Sequence, residues 1–559
     1  MGIRWAEWGE AAFAFARAEG KPVLLSLTAG WCHACHRMDE ETWEDPGVAA
    51  AVERAAVPVR VDADARPDVY ARYHLGGLPT TALLTEAGEF VRGGTFLSAQ
   101  ELRRFLDASV ADWRAQRRPR ERPAAAAAAP ASLVDEVVAR LVRRADAEHG
   151  GFGVAPKLPE TEALTLLLRR WRVSRDGALE RLVRGSLDAI AAHLADARDG
   201  GFFRYAAGAD WTGPHTEKLA LDQAQIAWLF LEAGAAFAEP RYVAAARAAL
   251  GHARRRLADA EGRVLASVAA DPAYYARGPA AATDEMPAVD RRRFADGSAA
   301  MVAAAKLALA LTGEDLGFLP EFRTAAPSGA IPHRFDGEAP VHGLLRDQAL
   351  GVTAALGEYR LRGDRALLEW AERVVEWSIG HLWDEQASAF RAAPAAPAGE
   401  PDLPPIFPLL GNGEMAAALA DLADHAGDPE YRRYAERLVA ALGGRAVRSP
   451  AGPALALAAL RLDDKPPEAD LDGDPADPRA RALARAVVAA LGPTAVVRWT
   501  GAAAPGLTLC VRDLCLPPLA DAGELLETLV DLELAPRGIL SIWSSSGPGQ
   551  AGLASEEAS

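Results

Sequence analysis

The chain has 559 residues, half of them hydrophobic and a quarter charged, so it is too long for one ordinary core and is predicted to form several domains. Its formal net charge of −16 argues against a nucleic-acid partner and an anionic membrane surface, since both require concentrated positive charge. No signal peptide and no run of about 18 apolar residues is seen, so we expect a cytoplasmic protein without a transmembrane helix.

Residues 1–116 are predicted to form an α/β domain. Short apolar runs at 23–27, 57–61 and 81–85 are typical of buried strands, and helices are expected at 6–19, 32–43, 47–55 and 67–74. A hairpin turn at 86–89 leads into a fourth strand, and Ser98 caps a last helix. A pair of cysteines therefore follows the first predicted strand directly.

The cysteine pair is the first candidate site. At a helix N-terminus, free N–H groups and the helix dipole stabilise a thiolate, so Cys32 is predicted to attack and Cys35 to resolve. His33 and His36 would add to this stabilisation when protonated. The alternatives are cysteines that only pack, a zinc site shared with the two histidines, and the Cys-x-x-Cys-His motif of c-type haem attachment.

This order of elements resembles the thioredoxin fold. Residues 29–35, Ala-Gly-Trp-Cys-His-Ala-Cys, match the Trp-Cys-x-x-Cys site of that family, with Trp31 before the first cysteine. Residues 77–80, Gly-Leu-Pro-Thr, match the loop whose proline, here Pro79, family members hold in the cis form. The resemblance implies thiol–disulfide exchange, and we expect neither a metal nor another cofactor.

An alanine- and proline-rich linker, residues 117–131, is predicted to lead into an all-helical domain at 132–462. This domain repeats pairs of helices, with starts near residues 222, 296, 347 and 412, and two more pairs fit between 132 and 194. Six helical hairpins that close into a ring form an (α/α)6 toroid. The helix of each pair that is rich in small residues suits the crowded inner ring.

Loops before the inner helices carry the second candidate site. They combine aromatic faces with acidic and basic groups, and they hold two of only five lysines in the chain. Because such loops converge at one mouth of a toroid, we predict that their side chains line one pocket: Lys157, Arg204, Tyr205, Trp211, His215, Glu217 and Lys218. Five further residues near inner-helix starts are assigned to this pocket: Asp222, Asp296, His342, Asp347 and Asn412. For the three aspartates, the alternative is a simple N-cap role.

Residues 463–545 are predicted to comprise an acidic, proline-broken linker and a small α/β segment, and 546–559 a disordered tail. A helix is expected at 479–491, and strands are expected at 495–499 and 507–511. Cys510 and Cys515 lie in this segment, and their spacing is compatible with either a packing or a redox role.

In combination, these motifs resemble the DUF255 family, also called spermatogenesis-associated protein 20-like or YyaL-like proteins. The cysteine segment and residues 150–159, 201–205, 214–225 and 510–521 carry the resemblance. Ala34 stands where family members have tryptophan, and 214–223 lacks an aromatic residue and a tyrosine that they usually have. The resemblance implies a thioredoxin-like domain joined to a toroid similar to N-acylglucosamine 2-epimerase and the six-hairpin glycosidases.

Two functions are compatible with these predictions. The first is an enzyme acting on a carbohydrate or related polyol. The epimerase-like resemblance implies His215 and His342 as general acid and base, with Glu217 beside them. The glycosidase-like resemblance implies a carboxylate pair drawn from Glu217, Asp222 and Asp347. The second function is a redox or ligand-binding protein that turns over no sugar. The predicted partners are a carbohydrate-like small molecule and, as a second class, a disulfide-bearing protein.

Overall fold

The computed structural model describes residues 2–115, 132–277, 285–337, 341–395, 401–501, 504–512 and 514–544. The predicted linker 117–131 and the predicted tail 546–559 lie outside these residues. The described chain forms an N-terminal α/β domain, a ring of helices and a small C-terminal α/β segment, which confirms the fold class predicted from the sequence.

The N-terminal domain is built around a four-stranded sheet. Its strands lie in the order Val57–Asp62, Val23–Thr28, Thr80–Leu84 and Phe90–Gly94. The first neighbouring pair is parallel, and the other two neighbouring pairs are antiparallel. Apolar clusters lie on the two sides of this sheet, as expected for a central strand that is covered by helices on both faces. The helices are Glu10–Glu19, His33–Met38, Pro46–Ala55, Pro67–Tyr73 and Ala99–Ala115, and a π-helical turn, Asp39–Trp43, extends the second.

Six inner helices form the ring, each packed against the next, and the last packs against the first. They are Thr161–Ser174, Ala220–Phe237, Ala295–Thr312, Leu345–Arg362, Leu409–Ala426 and Gly452–Asp463. Their small residues allow this close approach. Among the described residues, one helix, Ala295–Thr312, has the length and composition of a membrane span, but 89% of it is buried inside the protein.

Outer helices cover the ring. They are Leu133–Arg144, Gly177–His193, Pro240–Arg256, Arg365–Leu382 and Pro429–Ala446. Where the sequence predicts a further helix after Ala295–Thr312, the structure has only the short helix Glu321–Ala325. The other short elements are the helix Pro272–Ala276 and the two-residue strands Tyr205–Ala206, Pro214–His215, Lys218–Leu219, Ser267–Val268, Val289–Asp290, Trp383–Asp384 and Ala389–Phe390.

The C-terminal segment packs on the end of the ring at which the inner helices finish. Arg485 donates a hydrogen bond to the carbonyl of Leu309 at 3.1 Å, and Arg360 donates one to the carbonyl of Ala495 at 2.9 Å. Its sheet has the strand order Val496–Trp499, Glu468–Asp472, Gly506–Val511 and Leu514–Cys515, and its helices are Pro478–Leu491, Ala522–Asp531 and Ile539–Ser544. The stretch predicted as an acidic linker thus supplies an inner strand, because its alternating apolar residues are buried in the core of the toroid.

The N-terminal domain covers the opposite end, here called the mouth, where the inner helices begin. Arg292 donates a hydrogen bond to the Asp62 carboxylate at 2.9 Å, and His333 bonds to the backbone carbonyl of Asp64 at 2.6 Å. The two domains are therefore joined by specific polar contacts as well as by the chain.

Cleavage within the predicted linker should leave the two domains associated. After proteolysis at a site inserted between residues 117 and 131, we expect both fragments to elute together from a size-exclusion column, because the contacts of Arg292 and His333 cross the interface. The Arg292→Ala variant, cut in the same way, should release more free N-terminal fragment. If the two wild-type fragments elute separately after cleavage, the interface is too weak to hold the domains together without the covalent link.

Candidate functional site at the toroid mouth

The redox centre lies at the start of the helix His33–Met38. Cys32 is the N-cap of this helix, and its sulfur accepts a hydrogen bond from the Cys35 backbone N–H at 3.2 Å. A disulfide joins the two cysteines, and only 4% of Cys32 and 2% of Cys35 is exposed. Leu78–Pro79 is a cis peptide bond, as the thioredoxin resemblance implies. After reduction, Cys32 would therefore occupy the position at which a helix N-terminus stabilises a thiolate.

Residues of the toroid lie directly against this centre. The carbonyl of Trp31 accepts a hydrogen bond from the backbone N–H of Ala270 at 3.3 Å, and the guanidinium of Arg204 lies 4.2 Å from the centroid of the Trp31 ring. Leu219 packs against the cluster that contains both cysteines. The disulfide thus lies at the interface between the two domains.

A cavity of about 430 Å³ opens in front of Cys32, and we call it the mouth cavity. Its wall from the N-terminal domain includes Trp31, Cys32, His33, Tyr70 and Leu78. Its wall from the toroid includes Glu162, Arg204, Tyr205, His215, Glu217 and Asp222. The two candidate sites, predicted separately from the sequence, therefore share one cavity. His36 is exposed on the same helix as Cys35.

Arg204 organises the acidic side of the mouth cavity. It lies 3.9 Å from Glu217 and 3.3 Å from Asp222. Burial raises the pKa of both carboxyl groups, and the positive charge of Arg204 opposes that shift. Within the part of the chain that the structure describes, Oε2 of Glu217 is buried without a hydrogen-bond partner, whereas Oδ2 of Asp222 is the oxygen that faces Arg204. Oε2 of Glu217 is therefore available to accept a hydrogen bond from a ligand.

His215 stands beside Glu217 in the same cavity. Its ring stacks on Tyr205 with centroids 4.0 Å apart, and its Nδ1 lies 4.0 Å from Oε1 of Glu217. Burial, together with the charge of Arg204, lowers the pKa of His215. The two shifts move the pKa of the histidine and the pKa of the carboxyl group toward each other, which suits proton transfer between them.

The two lysines do not line the cavity, which contradicts their predicted role. Lys157 and Lys218 are fully buried, with 0% exposed. Lys157 donates to Asp146 at 2.6 Å and to the carbonyl of Gly150. Lys218 donates in the same way to Asp196 at 2.5 Å and to the carbonyl of Gly200. The same lysine–aspartate–glycine arrangement therefore holds two successive loops together.

Trp211 and Asn412 are also structural, so their assignment to the pocket is wrong. Trp211 is 1% exposed, and its indole N–H donates to a backbone carbonyl. Asn412 bonds through its side-chain amide to both the N–H and the carbonyl of Phe390, at 2.8 and 2.9 Å. Gln223 holds Phe202 in the same way. A side-chain amide in the first or second turn of an inner helix thus provides hydrogen-bond partners for a backbone N–H and carbonyl in the loop before that helix.

The N-cap alternative does not hold for the three aspartates. The N-caps of their helices are Leu219, Phe294 and Leu344. Asp296 lines a second cavity of about 180 Å³, which shares Arg204 and Trp31 with the mouth cavity. Asp347 is buried and is not in either cavity wall. His342 is exposed and lines a separate cavity beside Trp8, so it is not a partner of His215 as predicted.

His333 is a buried residue that links the toroid to the redox domain. Its Nδ1 lies 2.9 Å from the Asp347 carboxylate and its Nε2 lies 2.6 Å from the carbonyl of Asp64. The carbonyl of Asp64 and an ionised Asp347 can only accept hydrogen bonds, and the Asp347 carboxylate raises the pKa of His333 to about 10, so at neutral pH we take both ring nitrogens to carry a proton. Potential ligand atoms of Asp296, His333 and Asp347 lie within 4.8 Å of one another, but a doubly protonated ring has no lone pair for a metal.

The charge of His333 predicts how stability depends on pH. Burial alone would lower the pKa of His333, but the attraction of the Asp347 carboxylate outweighs burial and raises this pKa to about 10. The contribution of His333 to the free energy of unfolding is therefore fully present below the unfolded pKa of about 6.5 and is lost as the pH rises through about 10. We expect His333→Gln to lower the free energy of unfolding by about 2 kcal/mol near pH 6 and by much less near pH 10. Urea unfolding at several pH values measures this difference, and an equal effect at all of them would contradict a charged His333.

Several residues of the site were not predicted from the sequence. Tyr70 and Glu162 line the mouth cavity, and Asp64 accepts the indole N–H of Trp31 at 2.9 Å. Burial raises the pKa of Asp64 to about 7, with Asp62 adding to this effect. One signal was present: Asp64 follows the strand next to the one that precedes Cys32, and carboxyl ends of parallel strands meet. No local motif distinguishes His333.

The fold and the site define a protein with a thioredoxin-like domain, which carries a Cys-x-x-Cys pair, docked on the mouth of an (α/α)6 toroid. Residues 1–120 match the family model described as "Protein of unknown function, DUF255". This match covers the N-terminal domain and fits the resemblance to spermatogenesis-associated protein 20-like proteins seen in the motifs.

Curated relatives carry the same resemblance. Spermatogenesis-associated protein 20 from Homo sapiens is 28% identical over 314 residues, which cover 48% of this chain and 39% of that protein. The match thus spans about two fifths of the length of such relatives. The thiol:disulfide interchange protein DsbD of Escherichia coli (strain K12) is 37% identical over 79 residues, 14% of each chain. Among solved structures, a sugar epimerase from a ruminal bacterium aligns with a TM-score of 0.44 and 12% identity over 55% of this chain and 84% of its own.

Proposed function

We propose that this protein is a thiol–disulfide oxidoreductase that acts on a carbohydrate-like small molecule bound in the mouth cavity. One observation supports the proposal above all others: Cys32 lines the same cavity as Arg204 and Glu217. A thiol that opens on a cavity reacts most readily with the molecule that the cavity holds.

The cavity has the groups that recognise a polyhydroxylated ligand. The carboxylates of Glu217 and Asp222 would accept hydrogen bonds from hydroxyls, and Arg204 would donate them. Trp31 and Tyr205 add aromatic rings to the wall. Cys32 would form a mixed disulfide with the bound molecule, and Cys35 would release it.

Sugar isomerisation without redox chemistry is a second candidate. It is favoured by the 4.0 Å separation of His215 and Glu217 and by the directions of their pKa shifts. In that case His215 would move the proton and Arg204 would stabilise an enolate-like oxygen. A binding protein without turnover would use the same cavity.

Mixed-disulfide trapping tests the proposal. In the Cys35→Ser variant, the reduced Cys32 should retain half of a small disulfide as a stable adduct, which intact-mass measurement detects. Sugars that occupy the mouth cavity should slow formation of this adduct. Absence of an adduct at Cys32, with the variant folded and its thiol open to alkylation, would contradict the proposal. Sugar turnover that persists in Cys32→Ser would favour the isomerase instead.

A further inference from the structure

We infer that the substrate of the redox centre is a low-molecular-weight disulfide whose organic part carries hydroxyl or ammonium groups, and that disulfides of folded proteins are not its substrates. This inference rests on the proposed function and names the chemical class of the substrate. Three features of the mouth carry it: the cover over Cys32, the size of the cavity, and the surplus of carboxylates over cations in its wall.

The surface around Cys32 is not free for a protein partner. Leu219 packs against the cysteine cluster, and the backbone N–H of Ala270 donates to the carbonyl of Trp31. Toroid residues therefore cover the surface around Cys32 that a protein substrate would have to contact. Only 4% of Cys32 is exposed. A folded protein would reach its sulfur only after the two domains separate, whereas a cavity of about 430 Å³ is in the size range of small-molecule sites.

Carboxylates outnumber cationic side chains in the wall of the mouth cavity. Four carboxylates line it, those of Glu160, Glu162, Glu217 and Asp222, together with one guanidinium, that of Arg204. Glu160 is paired with Arg144 outside the wall, and Arg204 is shared between Glu217 and Asp222, at 3.9 and 3.3 Å. A ligand that supplies hydroxyl or ammonium hydrogens would satisfy Oε2 of Glu217, which has no hydrogen-bond partner. A ligand that brings further carboxylates, such as an acidic peptide, meets like charge at short range.

The exchange itself balances without a further cofactor. The Cys32 thiolate attacks one sulfur of the small disulfide, the substrate S–S bond breaks, and the first thiol leaves with a proton. The Cys35 thiolate then attacks the Cys32 sulfur, forms the protein disulfide, and releases the second thiol. The substrate gains two electrons and two protons, and the protein dithiol loses them. A dithiol reductant restores Cys32 and Cys35 for the next cycle.

Single-turnover oxidation of the full-length, pre-reduced protein tests this substrate class. The probes are cystamine, the disulfide of 1-thioglucose, oxidised glutathione and insulin, and each rate is divided by that of dithiothreitol with the same probe. We expect the first two normalised rates to exceed the last two by at least about tenfold. The Glu217→Gln/Asp222→Asn variant should lose most of the preference for cystamine, whereas Glu376→Gln, on an exposed outer helix, should keep it.

The outcomes separate the inference from the proposed function. Insulin or oxidised glutathione reacting as fast as cystamine would overturn the substrate class while leaving disulfide exchange intact. An unchanged preference in the Glu217→Gln/Asp222→Asn variant would overturn the role given to the carboxylates. If none of the four probes oxidises Cys32 and Cys35 faster than it oxidises dithiothreitol, the proposed function itself fails, and the inference fails with it.

Discussion

The Cys32→Ser variant is expected to lose disulfide-exchange activity by at least about 1000-fold, the scale of loss seen when a covalent nucleophile is removed. A serine hydroxyl stays protonated at neutral pH even at a helix N-terminus, whereas the same position favours the thiolate of cysteine. The packing should change little, because the two side chains differ by one atom. Turnover of a small disulfide with excess dithiol reductant measures the loss.

Variants at the other cysteines make this result specific. Cys35→Ser should still react once with a disulfide but should not turn over, because the resolving thiol is absent. The Cys510–Cys515 disulfide joins two strands of the C-terminal segment, which packs at the end of the ring opposite the mouth. The Cys510→Ser/Cys515→Ser variant should therefore retain activity within about twofold, as expected for distant, independent sites. A large loss in that variant would show that the second disulfide takes part in the exchange.

The Lys218→Met variant should lose about 3–5 kcal/mol of unfolding free energy, the usual result of removing one partner from a buried ion pair. Lys218 is 0% exposed and the side chain of Asp196 is 4% exposed, so the remaining carboxylate cannot regain water. The loop carbonyl that Lys218 satisfies also loses its partner. Urea unfolding followed by circular dichroism measures the change.

Lys157 offers a matched comparison within the same chain. Its Nζ also pairs with an aspartate, and it donates to two loop carbonyls, those of Gly150 and Gly153, where Lys218 donates to one. The Asp146 side chain is 17% exposed and can be partly rehydrated. We expect Lys157→Met to cost about 2 kcal/mol less than Lys218→Met. The Lys218→Met/Asp196→Asn variant should recover part of the loss because no buried charge is left unpaired. Equal losses for the two single variants would show that burial of the carboxylate does not set the effect.

The helical ring was predictable because its signals are repeated. Several inner helices, such as Ala220–Phe237, Ala295–Thr312 and Leu409–Ala426, are rich in small residues, so an error at one boundary does not change the architecture. The strand Glu468–Asp472 was missed because its acidic residues and neighbouring prolines are typical of a linker, and only the packing of Ala469 and Leu471 against a distant core makes it a strand.

The site was predictable only in part, because charge in a loop does not reveal the direction of a side chain. Lys218 and Glu217 are adjacent in sequence, yet one is turned into a buried ion pair and the other faces the mouth cavity. The residues that come from the other domain, such as Tyr70, could not be assigned without knowing how the domains dock. His333 reaches Asp64 across a sequence separation of 269 residues, which no local pattern encodes.

Closure of the ring has a consequence for the order in which the protein matures. The last inner helix, Gly452–Asp463, packs against the first, Thr161–Ser174, so the toroid cannot close until most of the chain has left the ribosome. Domains generally fold as units during synthesis, with the N-terminal one first. With the substrate class inferred above, newly made Cys32 would be open to any thiol or disulfide, and the toroid would restrict its substrates only after the ring closes behind it. The selectivity of the cysteine pair would thus be acquired late, as a property of the completed chain.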